Sequence, residues 1–567
     1  MYNPKGYHLY FTVVIILLFI ACNDEPTAKK RIVNPRQIVT DPKSMNAFVK
    51  ENIIQLLSIA IEKNKKIDDS DLLIFLNVVN NYYETNDHVP VWSSMGKLKS
   101  LADSLIHYLA SVSYDGLYRE DYHYDRLVAW QNTFQNDSLV RMNAEAWAKT
   151  DLLLTDAFMH LVQDLKQGRL QDDSITWKND TILHRVFFRS LLDKMVGGET
   201  ISSIAEKLQP SFQSYINLKK MLPGFLDSMD TNYYTYLKYP YKDSLTFIKN
   251  LIIRLGESGI ISNPGSRLDS LQLSEAIKKY ERGKGIKTTG KITKQLISKL
   301  NMSDREKFNR IAITLDKYKK LPPEMPDKYI WVNLPAYYLA VWEKDSMIMR
   351  SKIICGKPAT PTPILTSAIT DMVIYPTWTV PASIIKKEML PALKKSTGYL
   401  AKKGLHLLNE KGEAIDPATV NWAKYSKGIP YKIQQGSGDD NALGVIKFNF
   451  SNPFSVYLHD TNQRYLFRNS VLSLSHGCVR VQEWKKLAFY ILRNDSMQIK
   501  KKDSLMVNTD SITSWIAQKE KHRINITYKI PLFIRYFGCE ATNGTIQFYD
   551  DIYGDDRLLR ERYFAGK

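Results

Sequence analysis

The sequence predicts a multidomain α+β protein in which a helical N-terminal half precedes a mostly-β C-terminal half. A chain of 567 residues is too long for one hydrophobic core and implies about three or four domains. Apolar residues recur at helical spacing from about residue 44 to 255, whereas aromatic and β-branched runs typical of strands begin at about residue 328. Hydrophobic residues make up 44% and charged residues 24%, as expected of a folded globular chain.

The first 22 residues have the features of a targeting segment. Lys5 provides a basic start, and the apolar run from Leu9 to Ile20 is too short to span a bilayer comfortably as a mature helix. The run ends at Ala21-Cys22 before polar residues, which resembles a bacterial lipobox and implies lipidation of Cys22. An ordinary cleaved signal and a retained membrane anchor are the alternatives. All three export the chain, so we expect a periplasmic lipoprotein attached to a membrane.

The next two segments are predicted to be a tether and a helical scaffold domain. Residues 23–43 are polar and contain prolines, which suits a tether. Residues 44–250 show apolar helix faces, for example at 48–59 and 152–162. Their histidines are isolated from one another, and we find no catalytic constellation among them.

Residues 251–305 are predicted to form a small helical domain. Ile277 and Tyr280 lie on one helix face, residues 283–290 supply a glycine-punctuated loop, and a second short helix carries Leu296. Helix, glycine-containing loop and helix together resemble the small peptidoglycan-binding domain that is appended to many wall enzymes.

Strand signals dominate residues 320–497. The aromatic runs 329–334 and 337–342 predict a hairpin that turns at Pro335-Ala336. The lysine-rich residues 383–430 are predicted to be an inserted helical segment. Residues 498–567 contain further strand-like runs and are predicted to form a C-terminal β-rich extension.

Charge and cysteine content restrict the partners. The net charge of +19 suggests an anionic partner such as nucleic acid, anionic lipid or an acidic wall polymer. Nucleic acid is the weakest of these, because the basic residues are scattered and form no aromatic-interleaved motif. No cysteine pair or Cys/His cluster has zinc spacing, so we predict no metal site. Cys355 and Cys539 lie in strand-like runs and are predicted to pack as small hydrophobic residues.

The sequence Ser-His-Gly-Cys at 475–478 is the best candidate for a catalytic site. It places Cys478 in a tight turn before an amphipathic helix predicted at about 482–493, whose positive end would lower the thiol pKa below about 8.5. Free N–H groups of the turn would bind an oxyanion. His459, nineteen residues earlier, would return to the same site on a neighbouring strand or loop. A buried cysteine beside a packed histidine is the alternative without catalysis.

The combined motifs resemble an L,D-transpeptidase of the YkuD type, and within that family the large YcbB-like subfamily. The motifs are Gly356-Lys357-Pro358…Thr362-Pro363, Trp378-Thr379-Val380-Pro381, Asn441-Ala442-Leu443-Gly444…Lys447-Phe448, Tyr457-Leu458-His459-Asp460-Thr461, Ser475-His476-Gly477-Cys478-Val479-Arg480-Val481 and Asp550-Asp551-Ile552-Tyr553-Gly554. The helical N-terminal half also resembles that subfamily. The resemblance implies a β-sandwich-like catalytic domain with a mobile lid at about 383–430.

The same resemblance implies that the substrate is the peptide stem of peptidoglycan. Cys478 would attack the carbonyl of the third stem residue and expel D-Ala, and His459 would carry the proton. The thioester would pass to an amine of a neighbouring stem and give a 3→3 crosslink. Backbone N–H groups of Gly477 and Cys478 would hold the oxyanion, and the carbonyl near Asp460 would fix the His459 tautomer. No cofactor is implied; wall-synthesis proteins are the expected protein partners.

His476 competes with His459 for the role of base, and we favour His459 because the resembled subfamily tolerates serine at the other position. Arg480 is expected to tie down the loop, with a contact to a stem carboxylate as the alternative. Tyr457 and Trp378 are expected to line the site, with core packing as their alternative. The residues assigned to substrate binding are Tyr457, Trp378, Ser475, His476 and Arg480.

Two other functions remain open. Water in place of the acceptor amine would make the protein an L,D-carboxypeptidase or endopeptidase, and the sequence does not separate these because acceptor choice depends on the lid and groove. A decayed site would leave a non-catalytic peptidoglycan-binding scaffold, although the presence of both Cys478 and His459 argues against it.

Overall fold

The computed structural model describes residues 38–170, 183–265, 268–426, 428–498 and 507–567. The predicted targeting segment, Cys22 and most of the predicted tether lie outside the described residues. Among the helices of the described ranges, none combines the length and the apolar character needed to cross a membrane.

The N-terminal domain is helical, as predicted. Its elements are α1 Met45–Glu62, α2 Leu76–Thr85, the small hairpin of β1 Ser93–Ser94 and β2 Lys97–Leu98, α3 Ser100–Ala110, α4 Tyr124–Asn136, α5 Ser138–Arg141, α6 Ala144–Gln167, α7 Arg185–Val196, α8 Ile201–Leu208 and α9 Gln213–Asp227. Helix α6 is buried on nearly all sides, so its polar side chains need internal partners. Asp151 meets this need by accepting hydrogen bonds from the backbone N–H groups of Val91 and Trp92, at 2.8 and 2.9 Å.

The small helical unit follows, with a hydrophobic core of its own. It consists of α10 Ser244–Glu257, α11 Ser270–Gly283 and α12 Lys294–Leu300. The predicted faces are confirmed, because Ile277, Tyr280 and Leu296 are all buried in this core. The next helix, α13 Asp304–Tyr318, is buried against α9 and the C-terminal part of the chain.

The catalytic half begins with β3 Lys328–Asn333, β4 Tyr338–Glu343, β5 Ser346–Gly356 and β6 Leu365–Ile374. Strands β3 and β4 form the predicted hairpin, with Asn333 opposite Tyr338.

The sequence had led us to expect a purely helical inserted segment. The structure contains strands there as well as helices. The segment contains β7 Trp378–Thr379, α14 Ala382–Ile384, a π-helical turn at Ile385–Met389, α15 Leu390–Leu393, α16 Tyr399–Lys402, β8 Leu405–Leu408, β9 Ala414–Ile415 and β10 Lys432–Gln435. The strands form a separate sheet in the order β7-β10-β8-β9. Leu405, Leu407 and Ile433 are buried in a local core. Leu405 and Leu407 are two residues apart, the spacing of side chains on one face of a strand. We call residues 378–435 the lid.

The remaining elements complete the C-terminal half. They are β11 Ile446–Phe450, β12 Leu458–His459, β13 Ser473–Ser475, β14 Val479–Val481, α17 Trp484–Gln498, α18 Thr509–Gln518, β15 His522–Asn525, β16 Pro531–Arg535, β17 Cys539–Thr542, β18 Thr545–Phe548 and α19 Asp555–Tyr563. The main sheet runs β11-β12-β14-β5-β4-β3-β16-β6, and β6 also pairs with β11, which closes it on itself. Cys355 and Cys539 are fully buried in two different cores, as predicted.

Candidate active site

The turn that carries Cys478 lies between β13 and β14. Strand β14 pairs in parallel with β12, so that His459 lies opposite Arg480. The prediction that a helix follows the turn directly was wrong, since the strand Val479–Val481 intervenes and α17 begins at Trp484. The effect of a helix dipole extends only about one turn from the helix end. Because Cys478 is farther from the start of α17, the dipole does not lower the pKa of the thiol.

Ser475 and Gly477 build this turn. The buried Ser475 hydroxyl donates to the carbonyl oxygen of Cys478 at 2.6 Å and accepts from the N–H of Gly477 at 3.1 Å. Gly477 has φ of +119°, which side chains rarely allow. The Gly477 amide is therefore engaged, whereas the Cys478 amide donates to no group in the part of the chain that the structure describes. Ser475 shapes the turn and turns its hydroxyl toward the backbone.

Two segments that are distant in sequence hold the turn in place through hydrogen bonds. Thr362 donates to the carbonyl of Gly477 at 2.8 Å and accepts from the N–H of Gly356 at 2.9 Å. Tyr553 donates to the carbonyl of Gly356 at 2.8 Å and accepts from the N–H of Thr362 at 3.1 Å. Sequence reasoning assigned no role to either side chain, although both stand in motifs noted above.

The surroundings of the thiol differ from the expectation of a lowered pKa. Burial raises the pKa of Cys478, and the backbone N–H and hydroxyl of Tyr457, Lys447 and Arg480 oppose this effect. The Sγ atom also lies 4.0 Å from the carbonyl oxygen of Ser455. The resting group is thus a thiol next to two cations and a hydroxyl.

Tyr457 lies next to the thiol, and Trp378 lies next to Tyr457. Burial raises the pKa of Tyr457, and Cys478 adds to this effect, whereas Trp378 opposes it. Lys447, opposite His459 on β11, places its Nζ 4.0 Å from the centroid of the Tyr457 ring. Burial lowers the Lys447 pKa, and within the described ranges the ammonium group has no ion pair. Sequence reasoning assigned no role to the Lys447 side chain, although it stands in one of the motifs noted above.

His459 is buried, with 4% of its surface exposed. Burial, with help from Arg480 and Lys447, lowers its pKa to about 3, and backbone groups at Asp460 and Leu443 oppose this. Its Nδ1 atom makes no regular hydrogen bond to a described residue, and no hydrogen bond among those residues joins the ring to Cys478. The ring is therefore neutral near pH 7.

The structure separates the two candidate histidines. His476 is partly exposed; its Nε2 lies 2.6 Å from a carboxylate oxygen of Glu388 in the lid and 3.3 Å from Nζ of Lys357. It joins the nucleophile turn to the lid, whereas His459 lies beside the β14 strand that follows the thiol.

Asp460 and Arg480 have different roles from each other. The Asp460 side chain is fully buried and accepts from the N–H of Val445 at 3.1 Å and from Nε of Arg464 at 3.0 Å, so it braces a neighbouring turn. Arg480 donates to Gln463 at 3.3 Å. Its guanidinium also favours a lower pKa for both Cys478 and His459. Tying the loop and facing the substrate are both compatible with this position.

We expect acid to destabilise the fold through His459. The unfolded chain takes up a proton near the ordinary pKa of about 6.5, whereas the folded ring stays neutral down to about 3. Between these values the unfolded state binds more protons, so the free energy of unfolding falls as pH decreases, by up to about 1.4 kcal/mol per pH unit. In thermal melts from about pH 4 to 7, the stability of His459→Gln should depend less on pH than that of the wild type. An unchanged pH dependence would contradict the lowered pKa of His459.

We expect Lys447→Met to raise the Cys478 pKa, because it removes a cation that favours the thiolate. The measurement is the pH dependence of Cys478 alkylation by iodoacetamide, followed by mass spectrometry. Lys447→Arg keeps the charge and should behave like the wild type. Equal behaviour of the two variants would show that the charge of Lys447 does not act on the thiol.

Comparison with known proteins gives two matching family profiles. The profile of the scaffold domain matches residues 77–222, and that of the L,D-transpeptidase catalytic domain, YkuD, matches residues 327–499. A curated Haemophilus influenzae protein, named as a candidate L,D-transpeptidase, is 32% identical over 230 residues. The match covers 41% of this chain and 45% of the relative, so the chain spans less than half the length of that protein.

Solved structures give weaker likenesses. An L,D-transpeptidase from Mycobacterium smegmatis has 10% identity and a TM-score of 0.18, over 37% of this chain and 58% of that one. An L,D-transpeptidase (Yku) from Stackebrandtia nassauensis has 13% identity and a TM-score of 0.16, over 52% of this chain and 92% of that one. Because these TM-scores are low, the similarity of this chain to L,D-transpeptidases rests on the two family profiles and the curated relative.

Proposed function

We propose that this chain forms 3→3 crosslinks between peptidoglycan stem peptides. The chain belongs to the L,D-transpeptidase family, and it combines the catalytic domain of that family with a scaffold domain in the YcbB-like arrangement. One observation carries the proposal. The Cys478 thiol lies in a braced turn with Tyr457, Lys447 and Arg480 acting on it, while the cysteines at 355 and 539 are sealed in cores.

The proposed reaction begins when the substrate enters and Cys478 passes its proton to neutral His459. The thiolate attacks the carbonyl of the third stem residue, and the oxyanion accepts a hydrogen bond from the Cys478 N–H. Collapse breaks the peptide bond to D-Ala, whose amine takes the proton from His459 as it leaves. The thioester remains on Cys478.

The second half of the reaction uses a neighbouring stem. Its side-chain amine attacks the thioester and gives up a proton through His459 to the departing sulfur. The new amide is the crosslink, and the thiol is restored. In this proposal Lys447 and Arg480 favour the thiolate in both halves.

Purified disaccharide-tetrapeptides test the function directly. Incubation with the protein and mass spectrometry should give a dimer that has lost one D-Ala. Tripeptide alone would replace the proposal with an L,D-carboxypeptidase, and shortening of preformed dimers with an endopeptidase. No change in the substrate would favour a peptidoglycan-binding scaffold.

We also propose that the chain is exported to the periplasm and anchored through lipid on Cys22, because the apolar run ends in Ala21-Cys22 before polar residues. Cys22→Ser should then abolish incorporation of fatty acid and release the protein from the membrane fraction. Cell fractionation with labelled fatty acid measures this. A variant that remains as membrane-bound as the wild type would argue for a retained helical anchor. The small unit of α10 to α12 is proposed to bind peptidoglycan.

A further inference from the structure

A cavity of about 260 Å³ lies between the small helical unit and the C-terminal segment. Residues of α12, α13 and α19 line it, together with the chain around residues 236–240. The aromatic and apolar part of its wall is made by Tyr236, Leu237, Tyr239, Pro240, Ile297 and Met302. The volume is just below the range of about 300–1,000 Å³ typical of pockets for drug-sized ligands, so it suits a monosaccharide or a dipeptide.

The carboxylates of this wall already have partners. Glu306 accepts two hydrogen bonds from Nε of Arg560, at 3.1 and 3.0 Å, and a further one from Nη2. Asp551 accepts from a tyrosine hydroxyl at 2.6 Å and from the N–H of Arg557 at 2.9 Å. Asp556 accepts from a buried lysine at 2.6 Å through Oδ1, and its Oδ2, which has no hydrogen bond to a described residue, lies at ion-pair distance from Nη2 of Arg310, at 3.6 Å. These acids are therefore not free to bind a cationic ligand.

One cation of the wall lacks such a partner. Nζ of Lys294 makes two long contacts, at 3.4 Å each, to the carbonyl oxygens of Asp551 and Ile552. No carboxylate of the described ranges lies within ion-pair distance of it, since its only polar contacts are these carbonyls. Arg557, the second cation at this end, donates to Glu561 through Nη1 at 3.1 Å.

We propose that this cavity binds a small ligand in which a carboxylate adjoins a sugar ring or an apolar acyl group. The carboxylate lies at Lys294 and Arg557, and the ring or acyl group packs on Tyr236 and Tyr239. Two parts of peptidoglycan have this chemistry, namely the lactyl-bearing sugar and the free end of a stem peptide. The choice of peptidoglycan as the source rests on the function proposed above, whereas the cavity and its charges do not.

The place of the cavity links it to the nucleophile turn. Tyr553 lines the cavity, and its hydroxyl bonds the carbonyl of Gly356 and the N–H of Thr362, whose own hydroxyl donates to the carbonyl of Gly477. A ligand in the cavity would attach the wall polymer to the element that braces the catalytic turn.

Isothermal titration calorimetry on the full chain tests the proposal with three probes. N-acetylmuramic acid represents the sugar acid, N-acetyl-D-alanyl-D-alanine the peptide end, and N-acetylglucosamine the same sugar without a carboxylate. We expect at least one of the acids to bind at least about tenfold more tightly than N-acetylglucosamine, the effect of one charged hydrogen bond. The acid that binds more tightly identifies the source.

Variants locate the binding. Lys294→Ala should weaken binding of the acid at least about tenfold. Lys299→Ala, an exposed lysine on the same helix that does not line the cavity, should leave it unchanged. Equal binding of N-acetylglucosamine, an unaffected Lys294→Ala, or no binding of either acid would overturn the proposal. Turnover of tetrapeptides without such binding would refute this inference alone, and binding without turnover would refute only the proposed function.

Discussion

Replacing Cys478 by alanine is expected to abolish D-Ala release and crosslinking while leaving the fold intact. Alanine keeps the small volume of the turn residue, and the two hydrogen bonds of Ser475 go to backbone atoms that the substitution retains. The loss should be complete within detection, because no other group among the described residues near the turn is a comparable nucleophile. Circular dichroism and thermal melting should match the wild type.

A carbapenem provides a second readout of the same assignment. Its β-lactam carbonyl mimics the acyl donor, so we expect one adduct on the wild type and none on Cys478→Ala. Peptide mapping should place the added mass on Cys478. An adduct on Cys355 or Cys539 instead would overturn the assignment of the nucleophile, although both thiols are fully buried and burial raises the pKa of each, to about 11 and about 12.

The second large effect is expected for His459→Ala. Removal of the proton carrier should lower kcat by a factor on the order of 10²–10⁴, the contribution of general acid–base catalysis. His476→Ser is the matched control and should keep substantial activity, because that ring bonds to Glu388 of the lid. Both variants are compared in the tetrapeptide assay and in carbapenem acylation. A severe loss in His476→Ser with a mild one in His459→Ala would require the two roles to be exchanged.

The structure changes one expectation about His459. In a Cys–His pair an imidazolium stabilises the thiolate, so removal of the histidine is expected to raise the pKa of the cysteine. Because the folded ring has a pKa of about 3, it carries no charge near neutral pH. The pH dependence of Cys478 alkylation should therefore shift more in Lys447→Met than in His459→Ala.

Elements with strong periodicity were predictable from the sequence. The hairpin of β3 and β4 followed from two aromatic runs around Pro335-Ala336, and α6 followed from apolar residues at helical spacing. Strand β14 was missed because three residues are too few to establish a period. The lid strands were missed for a similar reason, since lysines and short helices surround their few buried leucines.

Within the candidate site, residue types were more predictable than their electrostatics. The motifs predicted that Cys478, Tyr457 and Trp378 share one region, and Cys478 and Trp378 both act on the pKa of Tyr457. The depth of burial was not readable from spacing, yet it reverses the expected direction of the Cys478 pKa shift. The roles of Thr362 and Tyr553 depend on residues 115 and 197 positions away in the chain, which no local pattern reveals.

The position of β16 constrains the order in which the catalytic domain can be completed. This strand lies between β3 and β6, although it follows β6 by more than 150 residues. Until it arrives, β3 and residues 365–368 of β6 present unpaired edges, which favours aggregation or binding by chaperones. A fragment cut at residue 499, where the family profile ends, would keep Cys478 and His459 yet leave this gap open. The last part of the chain must therefore be made before the main sheet can close around its core.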